Sequence, residues 1–169
     1  MSNASSSLEG KRVILMGASS GIGFATAKAV ATEGAKVVIV SSNRQRVDKA
    51  LTELPAGSEG HAVDLSKEEN IKHFFSGIGN FDHLVFSAGE NLTLNTIQAT
   101  DIPQAREFFT LRFWAPFAAI KYGAPHINAG GSISLTSGTA SARPGAGWSV
   151  ASARCLYEPR FESARDLGS

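Results

Sequence analysis

The chain has 169 residues, 43% of them hydrophobic and 18% charged, with a formal net charge of +1 at pH 7. That length and balance suit one domain with a real core, and they exclude a disordered chain. The near-neutral charge gives no broad field for nucleic acid or anionic lipid, no apolar run reaches bilayer length, and the single Cys155 excludes an intramolecular disulfide.

Residues 1–9 lack the basic-then-apolar order of a signal peptide and read as a flexible polar leader, which places the expected location in the cytosol. Arg12 to Gly17 predicts a short buried strand closed by glycine. Ile22 to Glu33 repeats apolar residues at helical spacing, with Gly34 just past its end. Lys36 to Val40 predicts the second strand, and Arg46 to Leu54 a helix halted by Pro55. His61 to Leu65 follows as a third strand, with Ser66 as the expected N-cap of a helix over Lys67 to Ser76. His83 to Gly89 reads as a fourth strand, Pro103 to Tyr122 as one long helix, and Gly131 to Ser137 as a fifth strand. This alternation predicts right-handed crossovers and an α/β fold, a doubly wound parallel sheet with helices on both faces. The rhythm covers residues 10–153 and breaks after Ala153, so 154–169 is expected to be an irregular tail.

The chemistry starts at Gly17-Ala18-Ser19-Ser20-Gly21-Ile22-Gly23, between the first strand and the first helix. Glycines there allow a tight turn and let a pyrophosphate approach the main chain without meeting a β-carbon. The helix that follows aims free N–H groups and its positive dipole end at the phosphates. Many glycine clusters are only turns; this one stands in the strand–turn–helix context that nucleotide binding requires.

Three motifs in order, Gly17 to Gly23, Asp64-Leu65, and Ser87-Ala88-Gly89, resemble those of the short-chain dehydrogenases/reductases. The resemblance runs from about Leu8 to Ala153 and implies a Rossmann fold. Met16 replaces the usual threonine, and Phe86-Ser87 replaces the usual asparagine pair. By resemblance Asp64 would bond the adenine amino group, Leu65 follows it, and Ser87 to Gly89 would line the adenine ribose. The second strand ends in Ser41-Ser42-Asn43-Arg44, without the acid that holds the ribose hydroxyls in NAD-preferring sites. Hydroxyls, an amide and a guanidinium suit a 2′-phosphate, so NADP(H) is the expected cofactor. The plainer alternative is that Arg44 is a solvated residue opening the next helix.

The family's catalytic pattern is an Asn, a Ser, and a Tyr and Lys four apart, with tyrosine as acid–base. Those positions fall on Thr110, on Gly138 (or, with a one-residue slip, Ser137), on Trp148 and on Ser152. Indole cannot ionise usefully, so Trp148 cannot relay a proton. Either the protein is catalytically inactive, or it acts on a substrate that needs no proton relay. Hydride transfer to an iminium carbon is such a reaction, since the pocket need only position the substrate. Trp148 would stack on a flat or cationic substrate, and Arg112 would orient a polar group. Their plainer readings are core filling for Trp148, and solvent exposure or pairing with Glu107 for Arg112.

The pattern also resembles divergent fungal short-chain reductases of alkaloid biosynthesis, which keep NADPH and carry tryptophan at the tyrosine position. The aspartate those enzymes place three residues earlier is Gly145 here. Complete family members continue with two more strands that close the substrate pocket and supply a dimer face. The last residues show neither and read as a shifted frame or a truncated gene, with the match ending after the fifth strand and the start of the next helix. The expected partners are a small-molecule substrate and, in a full-length form, a second copy. The functional expectation is an NADP(H)-dependent reductase-type protein of specialised metabolism, acting by reduction or cyclisation of an activated intermediate. The alternative is an inactive remnant or NADP-binding regulatory protein. The four histidines lack ligand spacing, so no metal is assigned.

Overall fold

The computed structural model describes residues 8–89, 95–138, 143 and 145–154, with side chains through residue 151. Five strands, β1 (Arg12–Met16), β2 (Lys36–Ser41), β3 (Glu59–Ala62), β4 (Phe81–Phe86) and β5 (Ile127–Leu135), form one sheet in the order β3-β2-β1-β4-β5. All four neighbouring pairs are parallel. The helices are α1 (Gly21–Thr32), α2 (Arg44–Leu51), α3 (Glu68–Ile78), α4 (Ile102–Phe109), α5 (Ala115–Gly123) and α6 (Ser149–Arg154).

Alternation along β1 and β2 divides the core in two. Val13, Leu15, Val37 and Ile39 pack with Ala27 of α1 and with Val47 and Ala50 of α2. Ile14, Met16, Val38 and Val40 face the other way, onto Ile71, Phe74 and Phe75 of α3 and Ala115, Ala118 and Ala119 of α5. The sheet is therefore covered on both faces, as the doubly wound Rossmann reading expects, and its central strands are apolar without interruption for that reason.

Several boundaries move. Helix α2 begins at Arg44, two residues before the expected start, because Asn43 caps it: its Oδ1 accepts the Arg46 N–H at 2.9 Å. Its last turn tightens instead of running to Pro55, with Thr52, Glu53 and Leu54 each donating to the carbonyl three residues back. β3 ends at Ala62, short of Leu65, because its only partner, β2, ends at Ser41. Ser66 does not cap α3. Lys67 occupies that position, and the Ser66 hydroxyl donates instead to Asp64 Oδ1 at 2.6 Å. β5 starts at Ile127, earlier than expected, with an irregular register beside Phe81–His83.

The expected single helix over Pro103 to Tyr122 is interrupted by a widened π turn at Thr110–Trp114. Pro116 lacks an N–H and would crowd the carbonyl four residues back. The chain responds by inserting one residue, and Ala115 N–H donates to Thr110 O, five residues back. Of the expected leader, Leu8 and Glu9 enter a turn in which Lys11 N–H bonds Leu8 O and Gly10 N–H bonds Gly34 O, both at 3.0 Å. Residues 1–7 and the tail from 155, with Cys155, lie outside the described residues. Among the described residues no helix is long and apolar enough to cross a membrane.

Candidate functional site

The carboxyl ends of β1 to β4 gather into one cleft, held together by main-chain bonds. Gly17 N–H donates to Val40 O at 2.8 Å, Ser87 N–H to Met16 O at 2.8 Å, and Val63 N–H to Ser41 O at 2.8 Å. In an open parallel sheet this is where ligands bind, outside the strand ends and at the point where strand order reverses, here between β1 and β4. The cleft measures about 350 Å³. It is lined by Gly17, Ser19, Ser20, Gly21, Ile22 and Gly23 from the first turn, Ser41, Ser42 and Arg46 from the second, Val63, Asp64 and Leu65 from the third, and Ser87, Ala88, Gly89 and Leu111 beyond.

The glycines are needed for different reasons. Gly17 sits at φ +89°, and a Cβ there would collide with the backbone nitrogen and Cα of Ala88. A Cβ on Gly23 would strike Gly17 O and Ser87 Oγ, so this residue lets α1 lie close to the sheet. Gly21, at φ +58°, has nothing within 4 Å of its absent Cβ. The first keeps the turn closed, the second seats the helix, and the third leaves an open approach to the helix N-terminus. Ser20 caps α1 without a side-chain hydrogen bond, so the opening amides of the helix keep their donors for a ligand.

Electrostatics vary along the cleft. Ser19 and Ser41 share a hydroxyl–hydroxyl bond of 2.8 Å at its β2 end. Asp64 is held below the usual carboxylate range, first by the Ser66 hydroxyl, then by the Ser66 N–H, with Lys67 Nζ 3.8 Å away. It is therefore an anion at neutral pH, able to accept from an exocyclic amine.

Two expected cofactor residues lie elsewhere. Asn43 uses its side chain as the cap of α2. Arg44 donates through Nε to Asp48 Oδ2 at 3.1 Å, pairs through Nη2 with Oδ1, and lines an adjoining hollow with His61 and His73 that shares Val63 and Asp64 with the cleft. Arg46, Val63 and Leu111 take places that the sequence reading did not give them. The signal for Arg46 was present in the cap: an Asn at the first non-helical position sets Arg44 and Arg46 on opposite sides of the first turn.

Of the expected catalytic residues, Arg112 reaches the rim of this cleft, and Ser137 and Trp148 are not among its lining residues. Thr110 opens the π turn and lines a neighbouring hollow with Trp114, Phe117 and Lys121. Ser137 is exposed just past β5. Trp148 is half-buried ahead of α6, its main-chain N–H donating to Gly145 O at 3.1 Å and its backbone also bridged to Asn95. A Cβ at Gly145 would stand 3.1 Å from the indole Nε1, so the glycine gives the ring its room. Arg112 lays its guanidinium carbon 4.6 Å from the centre of the Phe108 ring. Its Nη1 is 3.3 Å from where a Cβ of Gly89 would be, which brings it to the rim of the cleft. Gly138 is exposed, and the side chain of Ser152 lies outside the described residues. No group of His, Cys, Asp and Glu suited to a metal occurs among the described residues.

Residues 4–157 match the family model of the SDR-like Rossmann domain. A short-chain dehydrogenase/reductase of Gibberella fujikuroi is 31% identical over 152 residues, which is 81% of this chain and 57% of that protein. One from Stachybotrys chlorohalonatus is 34% identical over 158 residues, 85% of this chain and 62% of that protein. The solved structure of the MalC reductase/Diels-Alderase from Malbranchea aurantiaca superposes with a TM-score of 0.78 at 29% identity, covering 88% of this chain and 64% of that one. The chain thus spans about three fifths of the length of the short-chain dehydrogenases/reductases it matches in these fungi.

Proposed function

Because this chain belongs to the short-chain dehydrogenase/reductase family, whose Rossmann fold binds nicotinamide cofactors, we propose that it is an NADP(H)-dependent reductase-type protein. Its substrate in this reading is an activated, iminium-like small molecule of specialised metabolism, reduced or cyclised in the cytosol. One observation carries the cofactor choice: the turn after β2 lines the cleft with Ser41, Ser42 and Arg46 and contributes no carboxylate, Asp64 coming from the turn after β3. An acid there would accept from both ribose hydroxyls and repel a 2′-phosphate. In this reading residues 10–153 form the NADP-binding domain, with Leu8 and Glu9 joined to it through their turn and Arg154 closing α6.

The first turn and the start of α1 hold the diphosphate, Asp64 accepts from the adenine amine, and Ser87 to Gly89 bound the ribose. When bound, the dinucleotide supplies a hydride. With tryptophan at the acid–base position, the chain offers no proton relay there, so the substrate must arrive already electrophilic. Trp148 packs on that flat cation, Arg112 orients a carbonyl or anionic group from the cleft rim, and Ser137 supplies a hydroxyl. The MalC reductase/Diels-Alderase bears a name that joins reduction to ring formation, which supports this class of chemistry.

Titration with NADPH, NADH and a cyclic iminium salt tests the reading. Saturable NADPH binding and loss of nicotinamide absorbance on adding the iminium are expected. Trp148→Phe should slow that loss and leave NADPH affinity unchanged. Absence of NADPH binding would overturn the proposal. The placement of Thr110 away from the cleft favours a second reading, an NADP-binding regulatory protein without turnover. Tight NADPH binding with no consumption of any iminium would select it.

A further inference from the structure

We propose that the outer edge of β5 is an interface between two copies of this chain, which pair β5 with β5 in antiparallel fashion and join two five-stranded sheets into one.

The two edges of the sheet meet solvent differently. β3 is four residues long and carries His61 and Glu59, the latter clasped by Arg12. Short length and charge are the usual means by which an edge strand is kept from pairing. β5 has neither. It runs for nine residues and pairs with β4 alone among the described strands. Residues 127–138 contain no lysine, arginine, aspartate, glutamate or proline. Ile133 and Leu135 pack on the α3 and α5 side of the sheet and stay partly exposed, whereas Ile14, Met16 and Leu84 on the same face are sealed at 0%. A net charge of +1 gives two copies little electrostatic reason to stay apart.

The main chain sets the register. Thr136, just past the strand, donates its N–H to Phe86 O at 3.0 Å and so faces β4. Main-chain groups alternate sides along a strand, so Ile133 and Leu135 turn their N–H and C=O outward. An antiparallel pair centred on Ile133 sets that residue opposite its own copy, where the two exchange both main-chain bonds. Leu135 then stands opposite Gly131 of the second copy, and Ser132 opposite Ser134 on the other face. Each contact occurs twice, as a two-fold axis requires. Apolar meets apolar, hydroxyl meets hydroxyl, and no like charges are opposed. The second β5 runs the other way, so the two nucleotide clefts open in opposite directions and neither is covered.

The chain's own tail fits this edge poorly. Residues 155–169 carry five charged residues and Pro159, and contain no valine, isoleucine or threonine. A second β5 is the better match. A single strand pair falls at the low end of specific interfaces, below roughly 1,200 Å² of buried area, so the dimer should dissociate on dilution.

Sedimentation velocity of the 169-residue chain from about 1 μM to about 1 mM tests this, a range that spans weak association. The mass is expected to rise from one chain to two. Ser134→Lys brings two ammonium groups to one face of the seam and should raise the midpoint concentration about tenfold or more. Ser134 is exposed, so the variant should keep the wild-type circular dichroism. Oxidation reads the register in a Cys155→Ser background. Ile133→Cys should be trapped as a disulfide-linked dimer, because its Cα lies about 5.5 Å from its copy across the axis. Ser137→Cys should not, because its copy lies on the order of 25 Å away. A chain that stays monomeric throughout overturns the inference. So does a dimer that Ile133→Cys fails to trap, or one that Ser137→Cys traps equally well.

Discussion

The two rims of the sheet are built on opposite plans. At the amino rim, side chains tie the strands together. Asp82 on β4 accepts the Arg12 N–H of β1 at 2.8 Å, the Asn128 amide of β5 at 3.2 Å and the Lys11 ammonium at 3.4 Å. Arg12 in turn donates through Nη2 to both carboxylate oxygens of Glu59 on β3, at 3.0 and 2.9 Å, and through Nη1 to Ile78 O. At the carboxyl rim the strand ends are held mainly by main-chain bonds, joined by two small hydroxyl contacts, Ser87 to Met16 O at 3.2 Å and Ser19 with Ser41 at 2.8 Å, and side chains are absent where the turn needs them to be. Cohesion and ligand capture therefore sit at opposite ends of the same strands. A change at one rim should move stability, and a change at the other should move affinity.

Gly17→Ala should break that separation, because the turn is structural as well as ligand-facing. A Cβ there meets the Ala88 backbone at a positive φ, so a loss of about 2–4 kcal/mol is expected in urea denaturation, together with loss of NADPH binding. Asp82→Asn should act on stability alone. The Arg12 N–H, then Asn128 and Lys11, hold the Asp82 carboxyl below its usual range. A carboxylate depressed in the folded state stabilises above the ordinary value near pH 4, and that contribution disappears as pH falls through the folded value. The wild-type urea midpoint should therefore drop below about pH 4. Asp82→Asn should remove roughly 1–2 kcal/mol at neutral pH and flatten the acid limb, with NADPH affinity intact.

Gly21→Ala is the converse case. No protein atom opposes its Cβ, so only the left-handed backbone costs stability, about 1 kcal/mol. The new methyl nevertheless stands at the open approach to α1, and NADPH affinity should fall at least tenfold, near the cost of a lost charge-assisted bond. Thr110→Ala should change neither quantity measurably, since Thr110 lines the neighbouring hollow. A clear loss of NADPH affinity in that variant would erase the distinction between the two hollows.

The carboxyl rim was readable in the sequence because its rules are backbone rules. Glycine spacing, the apolar strand before it and the helix after it predict the turn whatever the side chains nearby. The central strands were equally plain, since burial on both faces leaves uninterrupted apolar runs such as Val37 to Val40. Edges were harder: β3 has one partner and lacks such a run, so its bounds follow from where β2 ends. The two arginines after β2 were hard to tell apart for a different reason. Arg44 and Arg46 look alike in the sequence, and only the cap at Asn43 and the clasp of Arg44 by Asp48 assign their directions. The Trp148 region depends on contacts between distant segments, such as the bridge to Asn95, and no local pattern announces those.

The extra residue at Thr110–Trp114 has a steric consequence of its own. In an unbroken helix Arg112 would stand in line with Ala115 and Ala119, which are 3% and 0% exposed against the sheet. A guanidinium forced onto that sealed stripe would lose its hydration with nothing to replace it. Proline 116 forces the winding to change just there, which rephases the two halves of the helix and swings the cation out towards Gly89. A single imino acid thus decides which way a positive charge points.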